Sequence, residues 1–233
     1  MTQLSMERMV AVLAQTTLFG DLDQGSLQAV AQSCVVRHYQ RNQFLWFKGD
    51  LGDYLAVVAS GRIKVVVTSK AGGEMVLVTL GPTESLGELA VMDAGERSAS
   101  AVTLEDTTVL RITRNALFQI LSAHPAVMDA LMSSVGAVVR RLTEQASDLV
   151  FLDLTGRVAK LLVQLSQDGR SDQKPTRRLD LGLTQTDLAN MVGASRPALN
   201  RILQGLAARG WIAIEGRTIL LLDDSGLRRR AGL

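Results

Sequence analysis

Residues 181 to 212 read LGLTQTDLANMVGASRPALNRILQGLAARGWI, and the order of residue types along this stretch decides the architecture of the C-terminal third. Thr184, followed three residues on by Asp187, has the form of a capping box, in which each side chain takes up a backbone N–H at a helix start. Leu188, Met191 and Val192 give the short helix that follows an apolar face. Gly193 marks a tight turn, and Ser195 is suited to cap a second helix. In that helix Leu199, Ile202, Leu203 and Leu206 fall on one side at about 100° per residue, and Arg196, Pro197, Asn200, Arg201 and Gln204 on the other. A short helix, a glycine turn and a second helix with a basic outer face predict a helix-turn-helix. An arginine at the N-terminal end of the second helix is the residue type that pairs bidentately with guanine in a major groove. The competing reading is a plain helical hairpin with a solvated basic face. Further on, WIAIEGRTILLL (211 to 222) alternates strand residues around Glu215-Gly216, which predicts a two-stranded wing with Arg217 at its tip.

Charge separates this region from the rest. Up to Val150 there are 12 Lys and Arg against 15 Asp and Glu, a net −3; from Phe151 onward there are 13 against 8, a net +5. The C-terminal part is therefore the one suited to a polyanion. The hydrophobic period separates them too. Residues 54 to 80, YLAVVASGRIKVVVTSKAGGEMVLVTL, are short β-branched runs divided at Ser60-Gly61 and Gly72-Gly73, the turn chemistry of antiparallel hairpins. With further strands around Val35–Trp46 and Ser100–Ile112, the N-terminal half reads as an antiparallel β-roll or barrel.

From Asn115 the spacing becomes helical, and Pro125 suits the first position of a new helix, where its missing N–H costs nothing. Met128, Leu131, Val135, Val138, Leu142, Gln145 and Leu149 recur at intervals of three and four, the seam of a coiled coil with one polar member. A helix from Pro125 to about Val150 is roughly 39 Å long. It serves either a homodimer or its own core, with Met132 and Val139 on the neighbouring face available to the β-domain. The expected class is α+β: a β-roll over residues 1–123, a dimerisation helix over 124–150 and a winged helix-turn-helix over 151–233.

With 233 residues, 47% hydrophobic and 21% charged, the chain can bury two cores and is not of disordered composition. Apolar runs stop short of the ~18 residues of a membrane span, and Glu7 and Arg8 interrupt any signal-peptide segment; the expectation is a cytoplasmic protein without membrane contact. A lone Cys34 forms no intrachain disulfide, and His38 and His124 lack metal-ligand neighbours, so neither metal nor iron–sulfur chemistry is expected. Trp46 and Trp211 are expected in their cores, and Arg228-Arg229-Arg230 as a solvated tail.

Residues 85 to 103, SLGELAVMDAGERSASAVT, place Gly87-Glu88 and Arg97-Ser98-Ala99 in otherwise small and apolar surroundings. Glu88 and Arg97 are either a structural ion pair or two ends of a cradle for a sugar and a phosphate. The residue types suit the second: glycine lets backbone approach an anion, a guanidinium matches two phosphate oxygens, and a carboxylate accepts from a ribose hydroxyl.

At these motifs the chain resembles the cyclic AMP receptor protein type of bacterial transcription regulator, within the CRP/FNR superfamily. The resemblance covers nearly the whole sequence and rests on GELAVMDAGERSA (87 to 99), YLAVVASGRIKV (54 to 65), FLDLTGRVAKLL (151 to 162) and VGASRPALNRIL (192 to 203). It implies a regulator, not an enzyme, in which a β-roll binds a cyclic nucleotide, a long helix forms a homodimer and a winged helix-turn-helix binds a palindromic duplex operator, with RNA polymerase as a partner. The implied ligand is cyclic AMP, with cyclic GMP also open. Glu88 then meets the ribose 2′-hydroxyl, and Arg97 and Ser98 the cyclic phosphate with backbone near Gly87 and Ala99. The implied ligand set is Gly87, Glu88, Leu89, Arg97, Ser98, Ala99, Leu142 and Thr143. The implied DNA set is Thr184, Gln185, Thr186, Ser195, Arg196, Pro197, Asn200, Arg201 and Arg217. The alternatives are a regulator of the same family that binds DNA without a ligand, and a cyclic-nucleotide-binding regulatory module.

Two positions depart from the family pattern. The Thr-Ser pair that touches adenine in well-known members is Leu142-Thr143 here. The glutamate that commonly follows the recognition-helix arginine is Pro197, which is harmless in a first helical turn but accepts no hydrogen bond from cytosine.

Overall fold

The structure, a computed structural model, describes residues 4–70, 72–168, 177–179, 183–216 and 218–233. It begins with α1 (Met6–Leu13) and α2 (Gln24–Ser33), two helices that the sequence reading did not anticipate. Each has a side-chain cap: Ser5 accepts from the Arg8 amide, and Asp23 from that of Ser26.

The β-roll follows as β1 (Cys34–Tyr39), β2 (Phe44–Trp46), β3 (Tyr54–Ser60), β4 (Ile63–Thr68), β5 (Glu74–Leu80), β6 (Ser85–Leu86), the short helix α3 (Glu88–Asp93), β7 (Ser100–Thr103) and β8 (Thr107–Thr113). The strands form two four-stranded sheets, ordered β1-β8-β3-β6 and β2-β7-β4-β5. Strand β3 explains why its sequence is a continuous apolar run. Its side chains alternate in direction, so Tyr54, Ala56 and Val58 enter a core shared by both sheets. Leu55 and Val57 enter a second core, closed by α1, α2 and the helices that follow β8. With both faces covered, no polar position is required.

Those helices are α4 (Arg114–Ala123) and α5 (Pro125–Phe151). Helix α5 starts at Pro125 as its sequence demands, but the expected seam is only partly kept: Val135, Leu142 and Leu149 stay in the outward stripe, while Met132, Val139 and Ala146 take the places expected of Leu131, Val138 and Gln145. Leu131 is 1% exposed and lies with Val127 in the β-roll core, where burial of a leucine contributes about 1.5–3 kcal/mol. Met132 and Val139, expected to serve the β-domain, are instead exposed, as are Leu142, Ala146 and Leu149. The outward stripe is therefore Met132, Val135, Val139, Leu142, Ala146 and Leu149, again at intervals of three and four.

The chain divides into two compact units inside α5, between Arg140 and Arg141; the hairpin tip Lys70–Val76 groups with the C-terminal unit. That unit contains α6 (Leu154–Asp168), β9 (Arg177–Leu179), α7 (Gln185–Met191), α8 (Arg196–Ala208), β10 (Ile212–Glu215), β11 (Thr218–Leu221) and α9 (Asp224–Ala231). The wing is the antiparallel pair β10–β11, and β9 adds a third strand beside β11. Arg228-Arg229-Arg230, expected as a solvated tail, belongs instead to α9, which packs on α6. Arg228 pairs with Asp224 one turn back, and Arg230 pairs with Asp153. The Asp153 carboxylate also accepts from the Gly156 amide at 2.8 Å, so it caps the start of α6. Among the described residues, no helix is long and apolar enough to cross a membrane, and no group of three or more potential metal-ligating side chains occurs.

Candidate functional site

The cassette sits where β6 turns into α3 and where the loop after α3 returns to β7. Gly87 begins α3 with φ +91°, a left-handed conformation that glycine adopts without strain. A Cβ at this position would fall on Arg97 Nη1, so glycine is required for space as well as for conformation. Glu88 opens α3 with its side chain 7% exposed. One of its oxygens accepts from Ser134 Oγ of α5 at 3.4 Å. Ser134 shares a helix face with Val127 and Leu131, and the sequence reading had not connected it with Glu88.

Arg97 is 3% exposed. Its Nη1 donates to the Gly87 carbonyl at 3.0 Å and its Nη2 to the Tyr54 carbonyl at 2.6 Å. Burial lowers its pKa from the ordinary value, while Tyr54, Asp53 and Glu88 act in the opposite direction; a guanidinium keeps its charge through such a shift. Its Nε is buried and has no hydrogen-bond partner. An unsatisfied buried donor costs about 1–3 kcal/mol, more when charged. A cation so placed, beside a glycine that admits close approach and a buried carboxylate, is the chemistry of an anion site with a hydroxyl acceptor at its edge.

Of the other expected ligand residues, Ser98 and Leu89 are exposed and Ala99 is buried. Leu142 and Thr143 are both exposed on the second half of α5, which groups with the C-terminal unit. Residues outside the expected set also build the site. Trp46 and Tyr54 flank Arg97, and burial pushes the Tyr54 phenol up to about 12. Burial likewise raises the Cys34 thiol to about 12, which makes it a poor nucleophile.

The second region is the face of α8. The capping box before α7 is present in both directions: Asp187 N–H donates to Thr184 Oγ1 at 3.1 Å, and Thr184 N–H to Asp187 Oδ2 at 2.9 Å. The Thr184 hydroxyl donates to the same carboxylate at 2.6 Å, so its proton is already directed inward. Ser195 caps α8 by accepting from the Ala198 amide. Leu199, Leu203 and Leu206 are buried, while Arg196, Pro197, Asn200, Arg201 and Gln204 are exposed on the opposite face. Pro197 lies in the first turn, where its ring is tolerated. Thr186 is exposed and Gln185 half-buried; Arg217 lies outside the described residues.

Residues 36–124 match the cyclic nucleotide-binding domain model, and residues 156–230 the Crp-like helix-turn-helix domain model. A fold that joins these two domains defines a DNA-binding transcription regulator under cyclic-nucleotide control. A CRP-like cAMP-activated global transcriptional regulator of Mycobacterium tuberculosis is 32% identical over 94% of this chain and 98% of its own length. The cyclic AMP receptor protein of Thermus thermophilus is 32% identical over 81% of this chain and 86% of its own. Among solved structures, the c-di-GMP responsive global regulator CLP of Xanthomonas campestris is 26% identical with a TM-score of 0.75, covering 85% of this chain and 99% of that one. The chain belongs to the CRP/FNR family of transcription regulators.

Proposed function

We propose that this chain is a cytoplasmic, non-catalytic homodimeric regulator that binds cyclic AMP in its β-roll and a palindromic duplex operator through α8, and acts on transcription through RNA polymerase. The observation that carries the nucleotide reading is Arg97: a buried cation with an unpartnered Nε, next to Gly87 and the buried Glu88. Arg97 and Ser98 take the cyclic phosphate, Glu88 takes the ribose 2′-hydroxyl, and Gly87, Leu89 and Ala99 supply backbone and wall. Relatives named for activation by cyclic AMP or as a cyclic AMP receptor support cyclic AMP over cyclic GMP.

The homodimer uses the outward stripe of α5, since a second copy of the chain presents the same repeat and a two-fold interface is self-complementary. Arg196, Asn200 and Arg201 read base edges, and Ser195, Thr184, Gln185, Thr186 and Arg217 contact or approach the backbone. The functional division follows residues 1–123, 124–150 and 151–233.

Isothermal titration of the whole chain with cyclic AMP, cyclic GMP and cyclic di-GMP tests the ligand. Cyclic AMP is expected to bind most tightly; no binding of any of the three overturns the nucleotide reading. Fluorescence anisotropy with random-sequence duplexes at rising salt tests the second half. A linear fall of log affinity with log salt is expected from phosphate contacts, and a flat response overturns the DNA reading.

A further inference from the structure

The residues of the cassette do not hold Arg97 by themselves. Its Cζ lies 4.0 Å from the centroid of the Trp46 ring and 4.7 Å from that of Tyr54. The two rings meet edge to face at 5.5 Å and 75°. Trp46 has a second attachment: its Nε1 donates to the Ala99 carbonyl at 3.0 Å. A single indole thus touches the cation with its face and, with its N–H, the loop before β7 that carries the cation. Its surroundings fix it in turn. The register of β2 against β7 shifts between Phe44 and Trp46, the kind of irregularity that re-aims a side chain. The Tyr54 hydroxyl donates at 3.1 Å to the carbonyl of Leu45, the residue before Trp46. A Cβ on Gly87 would stand 3.2 Å from the Trp46 ring, so the glycine leaves room for the indole too.

We infer that Trp46 is a positioning residue for phosphate recognition, holding the Arg97 guanidinium so that its Nε–H is reserved for the anion of the nucleotide. The inference rests on the nucleotide reading above. An arginine side chain is rich in rotamers, and fixing it before the ligand arrives removes that entropic cost from binding. The ring face also favours the cation. The carbonyls of Gly87 and Tyr54 take up one side of the fork, Trp46 stands over the plane, and Nε is the donor left without a protein acceptor.

The test compares the parent with Trp46→Leu, Trp46→Phe and Arg97→Ala, and with the double variant Trp46→Leu/Arg97→Ala, by calorimetric titration of the full chain with cyclic AMP. Trp46→Leu is expected to weaken binding about tenfold, through loss of both the ring face and the N–H. Trp46→Phe restores the face but not the N–H, so it is expected to recover part of that loss, ending about threefold below the parent. In the Arg97→Ala background, replacing Trp46 is expected to change nothing further. The chain has two tryptophans, so the emission of Trp46 is read as the difference between the parent and Trp46→Phe. That difference spectrum is expected to shift on addition of cyclic AMP, and the shift to vanish when Arg97 is alanine. Binding by Trp46→Leu within about twofold of the parent overturns the inference. So does an equal loss in the Arg97→Ala background, which would mark Trp46 as core packing alone. A parent that binds no cyclic nucleotide overturns the nucleotide reading itself, and this inference with it.

Discussion

Arg97 in the β-roll and Arg196 and Arg201 on α8 are the arginines proposed to meet phosphate or base, and the protein treats them in opposite ways. Arg97 is enclosed, bonded to two carbonyls and overlaid by an indole. Arg196 and Arg201 are left in solvent on a helix whose other face makes the core. A small ligand that must be recognised entirely within one pocket rewards a cation fixed in advance in a water-poor setting, where electrostatic interactions are strong. A long polyanion is met by many cations at once and is read at several registers, so mobile, solvated side chains serve better. On the proposed roles, the same residue type should carry its mutational cost in different places: in the pocket for Arg97, in DNA binding alone for Arg196 and Arg201.

The largest expected effect tests the enclosed side of that contrast. Gly87→Ala puts a Cβ onto Arg97 Nη1 in a left-handed conformation, and should cost about 1–3 kcal/mol of stability. It should also misplace the guanidinium, so nucleotide titration and thermal denaturation should both report a loss. Arg97→Ala should cost about 1.5–3 kcal/mol of nucleotide binding with the chain still folded. Unchanged titration by either variant breaks the comparison, because the enclosed arginine would then be structural.

The exposed side should respond differently. Arg196→Ala or Arg201→Ala should cost about 1–3 kcal/mol of operator affinity and relax preference at one base pair of each half-site. Stability should stay within about 0.5 kcal/mol of the parent, as for other surface changes, and nucleotide affinity should not move. Selection from random duplexes sharpens this further. With Pro197 where an acid would accept from cytosine, one position should be read weakly, and a strong cytosine requirement traceable to residue 197 contradicts the assignment.

A smaller effect concerns communication between ligand and DNA. Leu142 on the outward stripe of α5 should stabilise helix pairing without a ligand, since an apolar seam residue favours a coiled coil that a polar one weakens. The parent should therefore bind its operator appreciably without nucleotide and gain only about 1–2 kcal/mol from it. Leu142→Thr should lower nucleotide-free binding and enlarge the response. Operator affinities measured with and without cyclic AMP for both proteins decide the matter.

The smallest effect lies in the C-terminal unit. The Gly156 amide and then Arg230 hold the Asp153 carboxyl below its ordinary value of 3.8. A carboxylate depressed in the folded state adds stability above its unfolded value, and that contribution disappears as pH falls through the folded one. Asp153 is mostly exposed, so the contribution is small. Asp153→Asn should lower Tm slightly at neutral pH, and the gap should close below about pH 3.8. A gap that persists in strong acid contradicts the pairing.

How much of this could be read in the sequence follows from where each partner lies. Gly87, Glu88 and Arg97 share one short stretch, and the helix-turn-helix another, so residue types at fixed spacing were enough. Trp46 and Tyr54 reach the cassette across separations of 53 and 43 residues, set by strand pairing that no local period encodes. Ser134 meets Glu88 across 46. The α5 seam was half legible for a different reason. The helix is apolar on two adjoining faces, and only the β-roll core decides that Val127 and Leu131 turn inward while Met132 and Val139 turn outward. The arginines of α9 resembled a tail because their acidic partners lie in different parts of the chain, Asp224 nearby and Asp153 at the start of α6.

The close fit of Gly87 against Arg97 also bears on how such a site can change over generations of sequence. Any side chain at residue 87 collides with the guanidinium of residue 97, and a shorter residue at 97 relieves the collision only by discarding the cation. Residue 87 has no tolerated replacement while Arg97 stays, residue 97 can shorten only at the expense of the cation, and the left-handed backbone at Gly87 keeps the pair from drifting together. Selection on this pocket is therefore close to all or nothing. A lineage that keeps the ligand keeps both residues, and one that abandons it is free to lose both, whereas gradual retuning of affinity must pass through the surrounding positions, Trp46 and Tyr54 among them.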